Sequence, residues 1–459
     1  MITTSPAGMT RRAVLGATAG LTAGLTAGLT AGLAVPAAAR AESDSADTGS
    51  TGSAAVEAWI ADRAVDLDTI DPEGPLDDLR PLLRGVAGAT VVGIGEPTHN
   101  LAEVSTLKHR VVRFLVERCG VRTLIWEDDW SLGLLIDEYV RTGAGDLDEL
   151  IPQLSYGSWQ NRQVADVITW LRRHNVRHPR DQVRFVGAEH YATRPFVYDR
   201  LATFLTETAP DLSGEARKLI EWLRPDPETP IGRYAQWYFE EVDDKQPYLD
   251  RTRRLRRIVA RATRHRHSPE ASLARQTARQ IENFHLHYSL PYAEIPTFRD
   301  AGAAGTIRWW LEHSRTRAAY WAATAHTSRA AGIRFSSATG DVAYTPVGHH
   351  LDRRYGNRYR VIGLAYQRGE YRTADGLIDL PAPLSEWYEH RFRELGRDQA
   401  LLDLDRHAPA AVRRWLAAPF RARGLPEEGT GSTVTGGTLA DWFDVIIHRR
   451  EVSPVDPYP

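Results

Sequence analysis

Ten residues constrain this chain more than any others: Val91-Val92-Gly93-Ile94-Gly95-Glu96-Pro97-Thr98-His99-Asn100. The apolar, β-branched opening reads as a strand that ends in two glycines. Asn100 is placed to cap a helix over Leu101 to Cys119, in which Leu101, Val104, Leu107, Val111, Leu115 and Val116 recur at helical spacing and Gly120 supplies the stop. A second strand candidate, Thr123–Trp126, follows, so the unit predicts two parallel, neighbouring strands joined by a helix. Glu96 and His99 then stand just past a buried strand, where a carboxylate and an imidazole can do acid–base chemistry.

The same rhythm continues through Val183–Gly187, Ala318–Ala323, Val361–Ala365 and Val445–Ile447. Continuous apolar runs of this kind suit strands covered on both faces. The fold class is therefore α/β: a mostly parallel sheet flanked by helices. Parallel strands bring their carboxyl ends to one edge. Glu96 and His99, Glu127, Glu189 with His190, and His326 each follow a different strand and so collect on one rim. Residues 215–290 break the rhythm and read as a helical insertion near that edge, with long helices over Arg251 to His267 and Leu273 to Leu290. Gly424 to Gly437 reads as a surface loop.

A net charge of −2 gives no global field toward nucleic acid, and no nucleic-acid motif accompanies the arginine-rich insertion. Cys119 is the only cysteine, which excludes an intrachain disulfide and a CxxC pair. Residues 1–41 read as a twin-arginine signal peptide, with Arg11-Arg12, a weakly apolar Gly-Leu-Thr-Ala stretch and the cleavage site Ala39-Arg40-Ala41. The weak hydrophobicity favours a cleaved signal over a lasting membrane anchor. A disordered link over 42–54 and a catalytic domain over 55–459 complete the expected organisation, with the mature protein secreted or extracytoplasmic.

Taken together, these motifs resemble the erythromycin esterase family, whose members hydrolyse macrolide lactones. The resemblance rests on Gly95-Glu96-Pro97-Thr98-His99, Leu107-Lys108-His109-Arg110, Glu127 after its strand, Trp159 before a Leu-Trp-Leu-Arg-like helix, Phe185-Val186-Gly187, Arg299-Asp300, and Phe443-Asp444-Val445-Ile446-Ile447. It covers most of residues 86–455. There is one clear departure. The family pattern Ala-His-x-Ala-His stands here as Ala322-Ala323-Thr324-Ala325-His326, so the first histidine is Ala323. Lys108 also stands where the family often has arginine. His190, His349 and His350 are candidate substitutes for the missing imidazole.

The resemblance implies ester or lactone hydrolysis with His99 as base. No Gly-x-Ser-x-Gly elbow is present, so water is the expected nucleophile. Glu96 or Glu127 would orient or tune His99, and His326 and Lys108 would hold the carbonyl oxygen. The catalytic candidates are His99, Glu96, Glu127 and His326. The substrate-binding candidates are Lys108, Trp159, Glu189 and His190. The bland readings are a loop histidine, a helix-end carboxylate and a solvated lysine. The motif's integrity outweighs the first two, while Lys108 stays balanced between the readings. No cofactor is expected. A zinc site of two or three histidines and a carboxylate stays open, but there is no His-Glu-x-x-His motif and Ala323 removes one ligand. Gly93-x-Gly95 lacks the third glycine of a dinucleotide fingerprint. Two alternatives remain: a biosynthetic enzyme performing another acid–base reaction such as cyclisation or elimination, and a non-catalytic binding protein that has kept the pocket.

Overall fold

The computed structural model describes residues 46–154, 157–338, 340–404 and 407–459. The expected signal peptide lies outside them. Of the disordered link expected over 42–54, residues 42–45 lie outside the described ones and 46–54 open a helix, Ala46–Arg63. Val56, Trp59 and Ile60 anchor that helix in one of the cores.

Thirteen strands are present among the described residues. They are β1 (Val65–Asp66), β2 (Val91–Glu96), β3 (Val121–Asp129), β4 (Arg184–Glu189), β5 (Arg317–Ala323), β6 (Ile333–Ser336), β7 (Val342–Tyr344), β8 (Tyr359–Thr373), β9 (Gly376–Leu380), β10 (Gln399–Asp403), β11 (Pro419–Arg423), β12 (Thr433–Thr438) and β13 (Val445–Val452). Nine form the main sheet in the order β1-β10-β13-β8-β2-β5-β3-β4, with β9 paired to β8. The pairs from β13 across to β4 are parallel, and the additions at β1, β10 and β9 are antiparallel. The expected α/β class is the observed one. The strand order differs in one respect: β2 and β3 are parallel but not neighbours, because β5 pairs with both and lies between them. The Gly424–Gly437 stretch is not an irregular loop either. Its second half is β12, in a separate four-stranded antiparallel sheet, β11-β12-β6-β7.

Ten longer helices follow or flank these strands: α1 (Ala102–Cys119), α2 (Trp130–Thr142), α3 (Arg162–Arg177), α4 (Pro195–Thr208), α5 (Pro210–Leu223), α6 (Ile231–Glu240), α7 (Gln246–Ala262), α8 (Pro269–His287), α9 (Ile295–Ser314) and α10 (Val347–Tyr355). The insertion is larger than the sequence suggests, with α4 to α8 beginning at Pro195. Proline at the first turn of α4, α5 and α8 starts each helix without requiring an amide donor. Among the described residues, no helix is long and apolar enough to cross a membrane.

Strand alternation divides the interior. Trp126, Trp321 and Ile94 pack with α1 and α3 on one face. Tyr320, Ala322 and Val361 pack with α9, α10 and the small sheet on the other. The insertion has its own core, built on Leu201, Leu205, Ile220, Leu255 and Val259. Asn100 does not cap α1. It takes a left-handed conformation (φ 64), and Leu101, without a side-chain bond, occupies the cap position. Gly120 ends α1 in the left-handed conformation (φ 70), as its glycine requires.

Gly95 is glycine because the Thr324–Thr327 turn crosses β2 at close range. A Cβ there would meet Thr327 Oγ1 at 2.6 Å and Thr324 Cα at 2.9 Å. Gly95→Ala is expected to destabilise the protein by about 1–3 kcal/mol through overpacking, measured by urea unfolding. An unchanged midpoint would show that the turn yields freely.

Candidate active site

The ends of β2, β3, β4 and β5 bring Glu96, His99, Glu127, Glu189 and His326 into one buried cluster, each no more than 1% exposed. Glu96 ends β2, and its Oε1 accepts from His99 Nδ1 at 2.7 Å. A carboxylate only accepts, so Nδ1 carries a proton and Nε2 points away from Glu96. That Nε2 lies 3.9 Å from Glu127 Oε2. The Trp159 ring packs on the imidazole, with centroids 4.1 Å apart, and its Nε1 donates to the Glu127 backbone oxygen at 3.2 Å.

Lys108 rises from α1 on one face of the sheet. Its Nζ lies 3.2 Å from Glu96 Oε2, donates to Ala322 O, and sits over the Trp321 ring. It therefore grips Glu96 from behind, on the side away from His99. Burial draws its pKa down to about 8, although Glu96 and Glu127 oppose the shift.

From the other face, α9 contributes Arg299 and Asp300. Arg299 donates to Glu127 Oε1 at 2.9 Å and to both Glu189 oxygens at 3.1 and 3.2 Å. Asp300 Oδ2 holds His326 Nδ1 at 2.8 Å and accepts the Val347 amide at 3.0 Å. His326 Nε2 lies 3.2 Å from Glu127 Oε1. Burial disfavours the imidazolium, but Asp300 and Glu127 outweigh it and push His326 up to about 10, so it is a fixed cation at neutral pH. Burial likewise opposes the Glu127 carboxylate. The His326 charge and hydrogen bond, with the Arg299 charge, nonetheless hold it well below the usual range. Glu189 is pushed up to about 7 by burial and by the Asp300 and Glu127 charges, against the pull of Arg299.

His190, expected to bind substrate, is not brought to the cluster. It follows Glu189 and turns the other way, packing edge-on against His287 and Phe298 beside Gly302. Burial draws its pKa down to about 3, so it is a neutral core residue. His349 and His350 stand on α10 and do not fill the place of the absent family histidine. At that place the Ala323 amide donates to Glu127 Oε2 at 2.7 Å. Arg299 and Asp300 carry more of the site than their motif alone suggests. The signal was an adjacent Arg-Asp pair heading a helix otherwise rich in Ala and Gly. Tyr320, whose buried hydroxyl feels the charges of Glu127, Glu189 and Asp300, gave no signal beyond strand patterning. Among the described residues, no group of three or more His, Cys, Asp or Glu side chains is placed to hold a metal ion.

A cavity of about 760 Å³ lies beside the cluster, between the insertion and the β4–α4 connection. Leu135, Leu154, Phe196, Tyr191, Tyr288 and Arg194 are among its walls. Tyr191 separates it from the charged cluster: its hydroxyl donates to Asp128 at 3.2 Å, and the Arg299 guanidinium lies 5.9 Å from its ring.

The fold and this rim define an α/β protein with a carboxylate-oriented histidine at its sheet edge. The profile of the erythromycin esterase family matches residues 116–452. The chain belongs to that family. It is 26% identical over 133 residues to erythromycin esterase type II of Escherichia coli, an alignment covering 29% of this chain and 31% of that protein. The match thus spans less than a third of that curated relative. Its fold is shared with a Bacillus cereus protein of solved structure (TM-score 0.77, 24% identity, covering 89% of this chain and 99% of that one). It is also shared with an erythromycin esterase mutant solved in its open conformation (TM-score 0.65, 16% identity, covering 86% and 99%).

Removing the His326 cation would leave the buried Asp300 carboxylate without its cation and Glu127 with Arg299 alone. His326→Gln is expected to cost about 3–5 kcal/mol at neutral pH. The charge contribution comes from a pKa raised above its ordinary 6.5, so it is fully present below that value and is lost as pH rises through about 10. Unfolding curves of both proteins across that window should converge at the alkaline end. A gap independent of pH would show a packing role alone.

Proposed function

We propose that this chain is a hydrolase of carboxylic esters or macrolide lactones, with water as the nucleophile and His99 as general base. The observation that carries this reading is the 2.7 Å bond from Glu96 to His99 Nδ1, which leaves Nε2 facing Glu127 across 3.9 Å. A water bound to both groups would be held for attack on an acyl carbon. The water oxygen bonds to that carbon while its proton passes to His99 Nε2. Collapse of the tetrahedral intermediate breaks the acyl–oxygen bond, and His99 returns the proton to the leaving alkoxide. Acid and alcohol are the products.

Four carboxylates (Glu96, Glu127, Glu189, Asp300) face three cations (Lys108, Arg299, His326). Arg299 and the His326 imidazolium supply positive potential for the oxyanion. The 760 Å³ cavity is of a size that takes a drug-sized molecule, and its largely apolar walls suit the body of a large lactone. On this reading, substrate enters from that side as Tyr191 gives way. Inactivation of a macrolide antibiotic outside the cytoplasm is the biological role we infer, resting on the family and on the expected export signal.

The test is incubation of the protein with a panel of macrolides and simple esters, followed by mass spectrometry for addition of water. His99→Ala is expected to lower kcat by about 10²–10⁴-fold, and Glu96→Gln to lower it less while KM stays nearly unchanged. Turnover that survives in His99→Ala would remove the base from the scheme, and absence of turnover on every ester would remove the reaction.

A further inference from the structure

On the outside of α9, away from the buried cluster, Ala301, Ala304, Gly305 and Arg308 recur at i, i+3, i+4 and i+7 and so share one helix face. This face floors a second, small cavity of about 110 Å³. Arg279 of α8 closes one side, and His350, Arg354 and Tyr355 of α10 close the other. The Arg279 guanidinium lies over Gly305, where a Cβ would stand 3.7 Å from its Nη2, in ordinary contact.

The charges here are not balanced within the protein. Arg354 has Glu312 at 3.4 Å, a pair that is more than half exposed and therefore weak. Arg279 and Arg308 have no carboxylate within ion-pair distance among the described residues. Glu282, on the same helix as Arg279, is taken by Arg256. Burial, with the Arg308 and Arg256 charges, draws Arg279 below its ordinary pKa, against the pull of Glu282. His350 Nε2 and Tyr355 Oη are buried and have no hydrogen-bond partner among the described residues.

We propose that this cavity binds a small tetrahedral oxyanion, a phosphate either free or at the end of an organic molecule. The lining offers donors in excess: three planar guanidinium forks, an imidazole and a phenol, with no carboxylate among them. Guanidinium forks match the oxygen spacing of phosphate and bind it in bidentate fashion. The volume suits a compact anion and excludes a large one. Because α9 also presents Arg299 and Asp300, an anion docked here braces the helix that holds the reaction cluster.

Calorimetric titration of the full chain with inorganic phosphate, against chloride at matched ionic strength, tests this. Saturable binding is expected, weakened at least about tenfold in Arg279→Gln/Arg308→Gln. The exposed Arg308→Gln alone, checked for native circular dichroism, should weaken it in part. Arg264→Gln, in the distant α7–α8 turn, should leave it unchanged. Methyl phosphate in a parallel titration distinguishes the two sources: binding supports a terminal phosphate, and exclusion supports the free anion. Heat that never saturates, or equal affinity in wild type and the double variant, would overturn the proposal.

Discussion

Glu127 ties the site together. Its carboxylate accepts the Ala323 amide from β5, the Arg299 guanidinium from α9 and the His326 ring from the turn after β5, and it faces His99 beyond β2. A carboxylate buried this deeply, with 1% of the residue exposed, survives as an anion only because charged donors surround it. The same contacts fix the relative heights of three strand ends and one helix. Geometry and charge are thus set by one group, and the orientation of His99 depends on the frame it holds.

The two faces of the sheet divide the labour. Lys108 comes from α1 below and fixes Glu96, while Arg299 and Asp300 come from α9 above and fix Glu127, Glu189 and His326. The two sets meet where His99 Nε2 faces Glu127 Oε2 across 3.9 Å. Where the family histidine is absent, the main-chain amide of Ala323 still donates to Glu127.

Much of this was legible in the sequence, for physical reasons. Apolar β-branched runs fix where parallel strands lie, and the residues just after them must reach one rim, so Glu96, His99, Glu127, Glu189 and His326 could be named together. His190 could not be separated from Glu189 by that argument, because strand alternation sends adjacent residues to opposite sides. Strand order was not legible: β5 lies between β2 and β3 through pairings about two hundred residues apart, which no local pattern encodes. The early start of the insertion at Pro195 was hidden by prolines that open helices as readily as they end them. β12 was hidden by its Gly and Thr content, and its stability comes from β11 and β6 on either side. Arg299 and Asp300 appeared as family markers, but only the fold shows that they neutralise carboxylates from other strands.

The central claim is that Glu96 fixes His99 with its proton on Nδ1 and its lone pair on Nε2. Nitrogen-15 NMR of protein labelled at histidine measures this directly, with His99→Ala used to assign the ring. A proton on Nδ1 and a bare Nε2 are expected at neutral pH in wild type, with loss of that preference in Glu96→Gln. A proton on Nε2 with Nδ1 bare would contradict it.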